Sequence, residues 1–324
     1  MENNTILEVK DLKVYFPVKS GVLRRTSGYI KAVDGVSFRV MHGETLGLVG
    51  ESGCGKTTIG RSIVRLNEPA GGNIFFENQD IFDKKGKDLR DLRKKVQIIF
   101  QDPYSSLNPR KTIKRLLGEV LTIQMGLSKE ASLKKTSSLL QQVGLSPVYA
   151  ERYPHEFSGG QRQRVAIAKA IALNPKFLVC DEAVSALDVS IQSQIINLLM
   201  DLKKEYKDIT YLFISHALNV VEHISDRVAV MYLGKFVEIA KTEDLFNNPL
   251  HPYTKALLSA VPLISEEKRG ERILLKGEIP GAGNIPKGCR FHTRCPYVTD
   301  ICRKEEPELK QRKESGHFSA CHFN

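Results

Sequence analysis

Gly50-Glu51-Ser52-Gly53-Cys54-Gly55-Lys56-Thr57 has the spacing G-x-x-x-x-G-K-[ST] of a phosphate cradle. Glycines let such a loop turn tightly and aim its N–H groups at phosphate oxygens. A helix opening at the loop's end adds a positive dipole end. Lys56 would neutralise the β- and γ-phosphates, and Thr57 would offer its hydroxyl to Mg2+, with Thr58 completing the set. A second cluster closes the apolar run Phe177–Cys180 with two carboxylates, Asp181 and Glu182. Asp181 would sit in the Mg2+ shell, and Glu182 would orient and polarise an attacking water. Alone, that run is a strand end meeting solvent; about 125 residues after a phosphate loop it reads as the hydrolytic half of the same site. Cys54 and Cys180 read as small apolar residues.

These groups need rigid elements beneath them. Ile6–Lys10, Val36–Val40 and Thr45–Val49 are short β-type runs bounded by Gly, Asp or Pro. A helix should start near Lys56 and run to about Leu66. Val96–Phe100 has strand length. Residues 105–172 change period, with Leu116, Leu117, Val120 and Leu121 on one helical face, which suggests a helical insertion. Strand and helix then alternate through Phe177–Cys180, Ile191–Leu202, Thr210–Ile214 and Val228–Tyr232. The expected fold is α/β, a mostly parallel sheet covered by helices with a small antiparallel β-subdomain. The expected boundaries are 1–264 for the nucleotide-binding domain and 265–324 for a charged, Pro- and Gly-containing extension that needs a staple other than a core.

Composition narrows the classes. The chain has 324 residues, 41% hydrophobic and 26% charged, which excludes a long disordered chain, a collagen-like fibre and a membrane-spanning bundle. The net charge is 48 − 37 = +11, and a basic balance fits a phosphate-bearing ligand, nucleic acid or an anionic membrane surface. No run approaches the ~18 apolar residues that span a bilayer, and Met1–Lys10 lacks the apolar core of a secretory signal. The expected location is cytosolic, where disulfides are rare. Four of the six cysteines, Cys289, Cys295, Cys302 and Cys321, nevertheless fall near the C-terminus.

Further motifs carry a family resemblance. Ser158-Gly159-Gly160-Gln161-Arg-Gln-Arg164 resembles the signature motif of ATP-binding-cassette ATPases. Gln101 resembles their Q-loop glutamine, Ser185-Ala-Leu-Asp188 their D-loop, and His216 their switch histidine. Order and spacing match over residues 6–240. The resemblance implies a P-loop NTPase core and an ATPase whose Gln101, Glu182 and His216 are catalytic, with Thr57, Gln101 and Asp181 around Mg2+. It also implies a dimer of such domains with ATP at the interface. In it Ser158 and the Gly159 and Gly160 amides, a second anion-binding helix end, face the γ-phosphate held by the other subunit. An aromatic near the first strand would stack on adenine, with Phe16 the best match and Tyr15 its rival.

Gln101-Asp-Pro-Tyr-Ser-Ser-Leu-Asn-Pro109, His251-Pro-Tyr-Thr254 and an insertion at Pro17–Lys31 narrow the branch. Together they look like the ATP-binding subunits of oligopeptide/dipeptide permeases, similar to the second of the two ATPases those systems carry. The implied partners are a different ATPase subunit in a heterodimer, two membrane permease subunits and an extracytoplasmic substrate-binding protein, and no nucleic acid. The implied location is peripheral, on the cytoplasmic face of the cell membrane. The cysteines follow Cys289-x5-Cys295-x6-Cys302-x18-Cys321, similar to a C-terminal set that holds a [4Fe–4S] cluster in this branch. Zn2+ and free thiols are the alternatives, and His292, His317 and His322 are spare ligands. Ala183 stands where the family usually has Pro, and Ala217 where Asp is common. Competing functions are an importer of nickel or another small solute, or a non-transport ATPase of this class. Lys84–Lys95 reads as a solvated helix face because Asp88 and Asp91 interrupt it.

Overall fold

The structure, a computed structural model, describes residues 4–20, 25–260, 273–275, 277, 280, 281, 283–314 and 316–324. The chain forms two compact units, residues 1–82 with 215–324, and residues 83–214. The domain boundary expected at 264/265 lies outside the described residues.

In the first unit, strand Thr5–Ser20 pairs antiparallel with Arg25–Met41 on one side and Gly71–Phe76 on the other. Gln79–Asp80 completes a four-stranded sheet. Alternation fixes its register: Leu7, Val9, Leu12 and Val14 are buried on one strand, and Val33, Val36, Phe38 and Val40 on its neighbour. The insertion expected at Pro17–Lys31 is largely strand. Phe16↔Ile30, Pro17↔Tyr29 and Val18↔Gly28 continue the pairing, so most of the segment lengthens the hairpin. Aromatic and β-branched residues suit that pleated ladder.

The same unit contains Thr45–Val49, buried at every position and parallel to Arg227–Tyr232. A strand covered on both faces reads as a continuous apolar run, as this one does. Arg227–Tyr232 turns into Lys235–Lys241 through Leu233 and Gly234, both at positive φ. His317–Ser319 and Lys310–Lys313 extend this sheet antiparallel. Helix Lys56–Ile63 opens directly from the phosphate loop.

In the second unit, Val96–Ile99, Phe177–Asp181 and Thr210–Ile214 form parallel neighbours. Helices Ile113–Met125 and Lys129–Gln142 bury Leu116, Leu117, Leu121, Leu139 and Leu140. Each starts where the sequence supplies a cap: Thr112 Oγ accepts from Arg115 N, and Ser128 Oγ from Ala131 N. Helix Gly159–Ile171 and helix Val189–Glu205 complete the unit's long elements. Gly86–Lys95 is the largely exposed helix its mixed charge suggested. The mixed α/β class expected is therefore present, with its antiparallel sheet and helical segment. No helix among the described residues is long and apolar enough to cross a membrane.

Candidate functional site

The phosphate loop follows the buried strand Thr45–Val49. Gly50 has φ 149° and Gly55 φ 113°. A Cβ at Gly50 would lie 2.2 Å from Met231 O, and one at Gly55 2.1 Å from Ala32 O, so neither position admits a side chain. Gly55 precedes helix Lys56–Ile63 without any side-chain cap, which leaves that end to backbone N–H groups. Lys56 is 4% exposed, and its ammonium donates to Gly50 O at 2.6 Å and Glu51 O at 3.0 Å. It is thus folded over the loop it would share with phosphate. Burial pushes the Cys54 thiol up, against the pull of Lys56, so Cys54 stays a neutral wall.

The carboxylates stand at the end of Phe177–Asp181 in the second unit. Asp181 is buried, and Glu182 sits at φ 48°, a left-handed conformation that costs a non-glycine residue energy. Its backbone is held on both sides: Glu182 N donates to Ile214 O at 3.0 Å, and Glu182 O accepts from Ser185 N at 3.1 Å and Ser185 Oγ at 3.0 Å. Gln101 Nε2 donates to Glu182 Oε2 at 2.9 Å. The glutamine, the glutamate and Ser185 of the D-loop-like run are therefore brought together. Ala183, the departure beside Glu182, is 2% exposed and packed inward. In the first unit, His216 is exposed just after Ser215, whose hydroxyl accepts from Ala217 N.

Ser158 caps helix Gly159–Ile171 reciprocally. Ser158 Oγ accepts from Gln161 N, and Gln161 Oε1 accepts from Ser158 N. Ser158 and Gly159 are exposed. Gly160 faces Ile191, and a Cβ there would meet its Cγ2 at 2.5 Å. Phe16 is exposed at 40%, as a base-stacking residue must be, whereas the Tyr15 hydroxyl is committed to Asp34 Oδ1.

Sequence reasoning missed the outer support of the phosphate loop. Glu51 N donates to the hydroxyl of Tyr253 at 3.0 Å. Arg294 grips the Glu51 carboxylate bidentately, Nη1 to Oε2 at 2.8 Å and Nη2 to Oε1 at 3.1 Å. Burial opposes the Arg294 charge, but the Glu51 carboxylate outweighs it and pushes the guanidinium's pKa further up. Tyr253 belongs to the His-Pro-Tyr-Thr run noted as a branch marker, which was the available signal. His251 caps helix Pro252–Ser259 through Nδ1, accepting from Tyr253 N at 3.1 Å.

Cys289, Cys295, Cys302 and Cys321 line one cavity of about 430 Å3 with His292 and His322. His317 lies elsewhere, fully buried against Glu238. Burial lifts the Cys289 thiol to about 11, while a hydrogen bond from the Phe291 backbone pulls the other way. Cys295 is raised by burial and receives the Tyr297 N–H in the same manner. Among the described residues, no three Cys, His, Asp or Glu groups approach closely enough to share one ion. The four thiols thus share one cavity.

A fold with a glycine phosphate loop, a strand ending in Asp-Glu, a glutamine on that glutamate and an exposed Ser-Gly-Gly helix start defines an ATP-binding cassette. The sequence profile of the ABC transporter family matches residues 33–185, and that of the oligopeptide/dipeptide transporter C-terminal region matches residues 237–302. The chain is 55% identical to the oligopeptide transport ATP-binding protein AppF of Bacillus subtilis, over 98% of this chain and 97% of that one. It is 49% identical to the dipeptide transport ATP-binding protein DppF of Haemophilus influenzae, over 99% and 97%. Among solved structures, the ATP-binding cassette MJ0796, a dimer bound to ADP and Pi, superposes with a TM-score of 0.65 at 28% identity, covering 73% of this chain and 98% of that one. CbiO1 of Clostridium perfringens gives 0.64 at 27%, covering 76% and 92%. The chain belongs to the ATP-binding subunits of oligopeptide and dipeptide ABC transporters, and it is an ATPase.

Proposed function

We propose that this subunit powers the uptake of di- or oligopeptides by closing and reopening a two-subunit ATP site. The substrate class is carried over from the relatives' names. The observation that carries the coupling is the Gln101–Glu182 hydrogen bond. It joins a residue on the segment that would grip a permease subunit to the residue that would activate water. Movement of that segment then changes the hydrolytic glutamate directly.

In this reading Phe16 stacks on adenine. The loop Gly50–Thr58 takes the triphosphate, with Lys56 moving from carbonyl oxygens to phosphate oxygens. Thr57, Gln101 and Asp181 would offer hard oxygen donors to Mg2+, which would spread phosphate charge. Glu182 orients the water, and His216 contacts the γ-phosphate. Ser158, Gly159, Gly160 and Gln161 serve a partner's nucleotide, since Ser158 and Gly159 are exposed at an anion-seeking helix end. The partners are a second, different ATPase subunit, two permease subunits and an extracytoplasmic binding protein, with this chain peripheral on the cytoplasmic side. The cassette proper ends near 264 and the extension begins near 265. A [4Fe–4S] cluster is the group the four thiols suit. They share a cavity, and the backbone groups of Phe291 and Tyr297 favour the thiolates of Cys289 and Cys295 against burial.

The test is Glu182→Gln in the complex assembled with its permease partners. Nucleotide affinity should persist, turnover should fall at least ~10²-fold, and Mg-ATP should trap a closed dimer. Sustained hydrolysis would place the base elsewhere.

A further inference from the structure

We propose that the seven-residue loop Cys289–Cys295 is a positioning element for nucleotide, acting through an arginine beside each of its two cysteines. Arg294 precedes Cys295 and holds Glu51, inside the phosphate loop, by two parallel hydrogen bonds. Arg290 follows Cys289. Its Nη2 donates to Asp34 Oδ2 and its Nη1 to Leu233 O at 2.6 Å. The other oxygen of Asp34 accepts the hydroxyl of Tyr15, the neighbour of Phe16. One short loop therefore reaches Glu51 of the phosphate loop and, through Asp34 and Tyr15, the strand that carries Phe16. Both side chains are only 8% exposed, so the contacts are desolvated and specific.

The chemistry at Glu51 makes the phosphate strut more than packing. A carboxylate in a triphosphate loop repels the ligand and, untethered, is free to swing toward it. The Arg294 fork neutralises that charge and holds it at a fixed angle. The hydroxyl of Tyr253 on Glu51 N fixes the same residue's backbone. Arg294 thus acts through Glu51, and Arg290 through Asp34 and Tyr15. Neither is placed to touch the reacting atoms.

The inference rests on ATP binding at Gly50–Thr58 and on base stacking at Phe16. Lys56→Ala in the full chain is the control, because loss of binding there confirms the loop independently of either arginine. The probes are a fluorescent ATP analogue, competed with ATP and with inorganic triphosphate, beside thermal unfolding without nucleotide. Arg294→Gln should weaken ATP and triphosphate alike by roughly fivefold to tenfold, tenfold being about 1.4 kcal/mol. Adding Glu51→Gln should restore affinity to within about twofold, because the unneutralised carboxylate is gone. Arg290→Lys should weaken ATP while leaving triphosphate unchanged. Affinity within twofold of wild type in Arg294→Gln would overturn the proposal. So would failure of Glu51→Gln to restore it, or losses that simply follow the thermal midpoint.

Discussion

At the residue scale, His251 shows how burial turns a side chain into a pH-dependent part of the fold. It is 1% exposed, and desolvation lowers its pKa from 6.5 to about 4 against the opposing pull of Glu238, with Lys255 adding to the depression. The neutral ring is needed, because its Nδ1 accepts the Tyr253 N–H at the head of helix Pro252–Ser259. A base with a depressed folded pKa binds its proton later than the unfolded chain does. Stability should therefore be full above about pH 6.5, fall as pH drops toward 4, and lose nothing more from this group below that. Across that window the cost is on the order of 3 kcal/mol. Urea unfolding of wild type and His251→Asn at pH 7, 5.5 and 4.5 checks this. Asn keeps the cap but does not titrate, so the gap between the two proteins should close as the pH falls. A constant gap would mean that His251 does not titrate in this range.

At the element scale, the helix opened by Ser158 is held in place by its missing side chain. A methyl group at Gly160 would press into Ile191 of helix Val189–Glu205, at 2.5 Å from its Cγ2. Gly160→Ala should cost about 1–3 kcal/mol through overpacking, and Ile191→Ala in the same chain should recover part of it. Calorimetry of the three variants decides this, since equal losses in Gly160→Ala and the double variant would show that contact to be soft. This also shows what the sequence made legible. The motifs named the loop Gly50–Thr57, the pair Asp181–Glu182, Gln101 and Ser158 because each needs particular residue types at fixed spacing. The helical character of residues 105–172 was legible from its period, and Ser158 as the opening of a helix, whereas the caps at Thr112 and Ser128 emerged only in the structure. The continuation of the first hairpin through Phe16–Val18 was not legible: Pro17–Lys31 read as an insertion between strands, while Tyr29 and Ile30 of the partner strand keep the ladder going. Nor were Arg290 and Arg294, whose partners lie 256 and 243 residues away in sequence. Contacts of that range leave no local period to read.

At the scale of the whole first unit, the C-terminal segment completes a sheet. His317–Ser319 pairs with Lys235–Lys241, setting Glu238 opposite Ser319. This covers one edge of Lys235–Lys241, which would otherwise offer unpaired N–H and C=O groups to other chains. Glu238 is fully buried and is satisfied from two directions. Leu250 N and His251 N donate to it at 2.7 and 2.9 Å, and His317 Nε2 meets Oε1 at 2.6 Å. Sequence reasoning held His317 as a spare metal ligand, and this pairing gives it a structural role instead. Removing the imidazole leaves a buried Glu238 oxygen short of a partner and a cavity beside it, so His317→Ala should destabilise by about 2–4 kcal/mol. His317→Gln, which keeps a donor, should recover much of that loss. Nucleotide affinity of the remaining folded protein should stay within about twofold of wild type, because Glu238 and His317 touch neither the phosphate loop nor its two arginine struts. Urea midpoints with a fluorescent ATP titration separate the effects. A collapse of affinity at unchanged stability would mean that this edge, too, reports to the nucleotide.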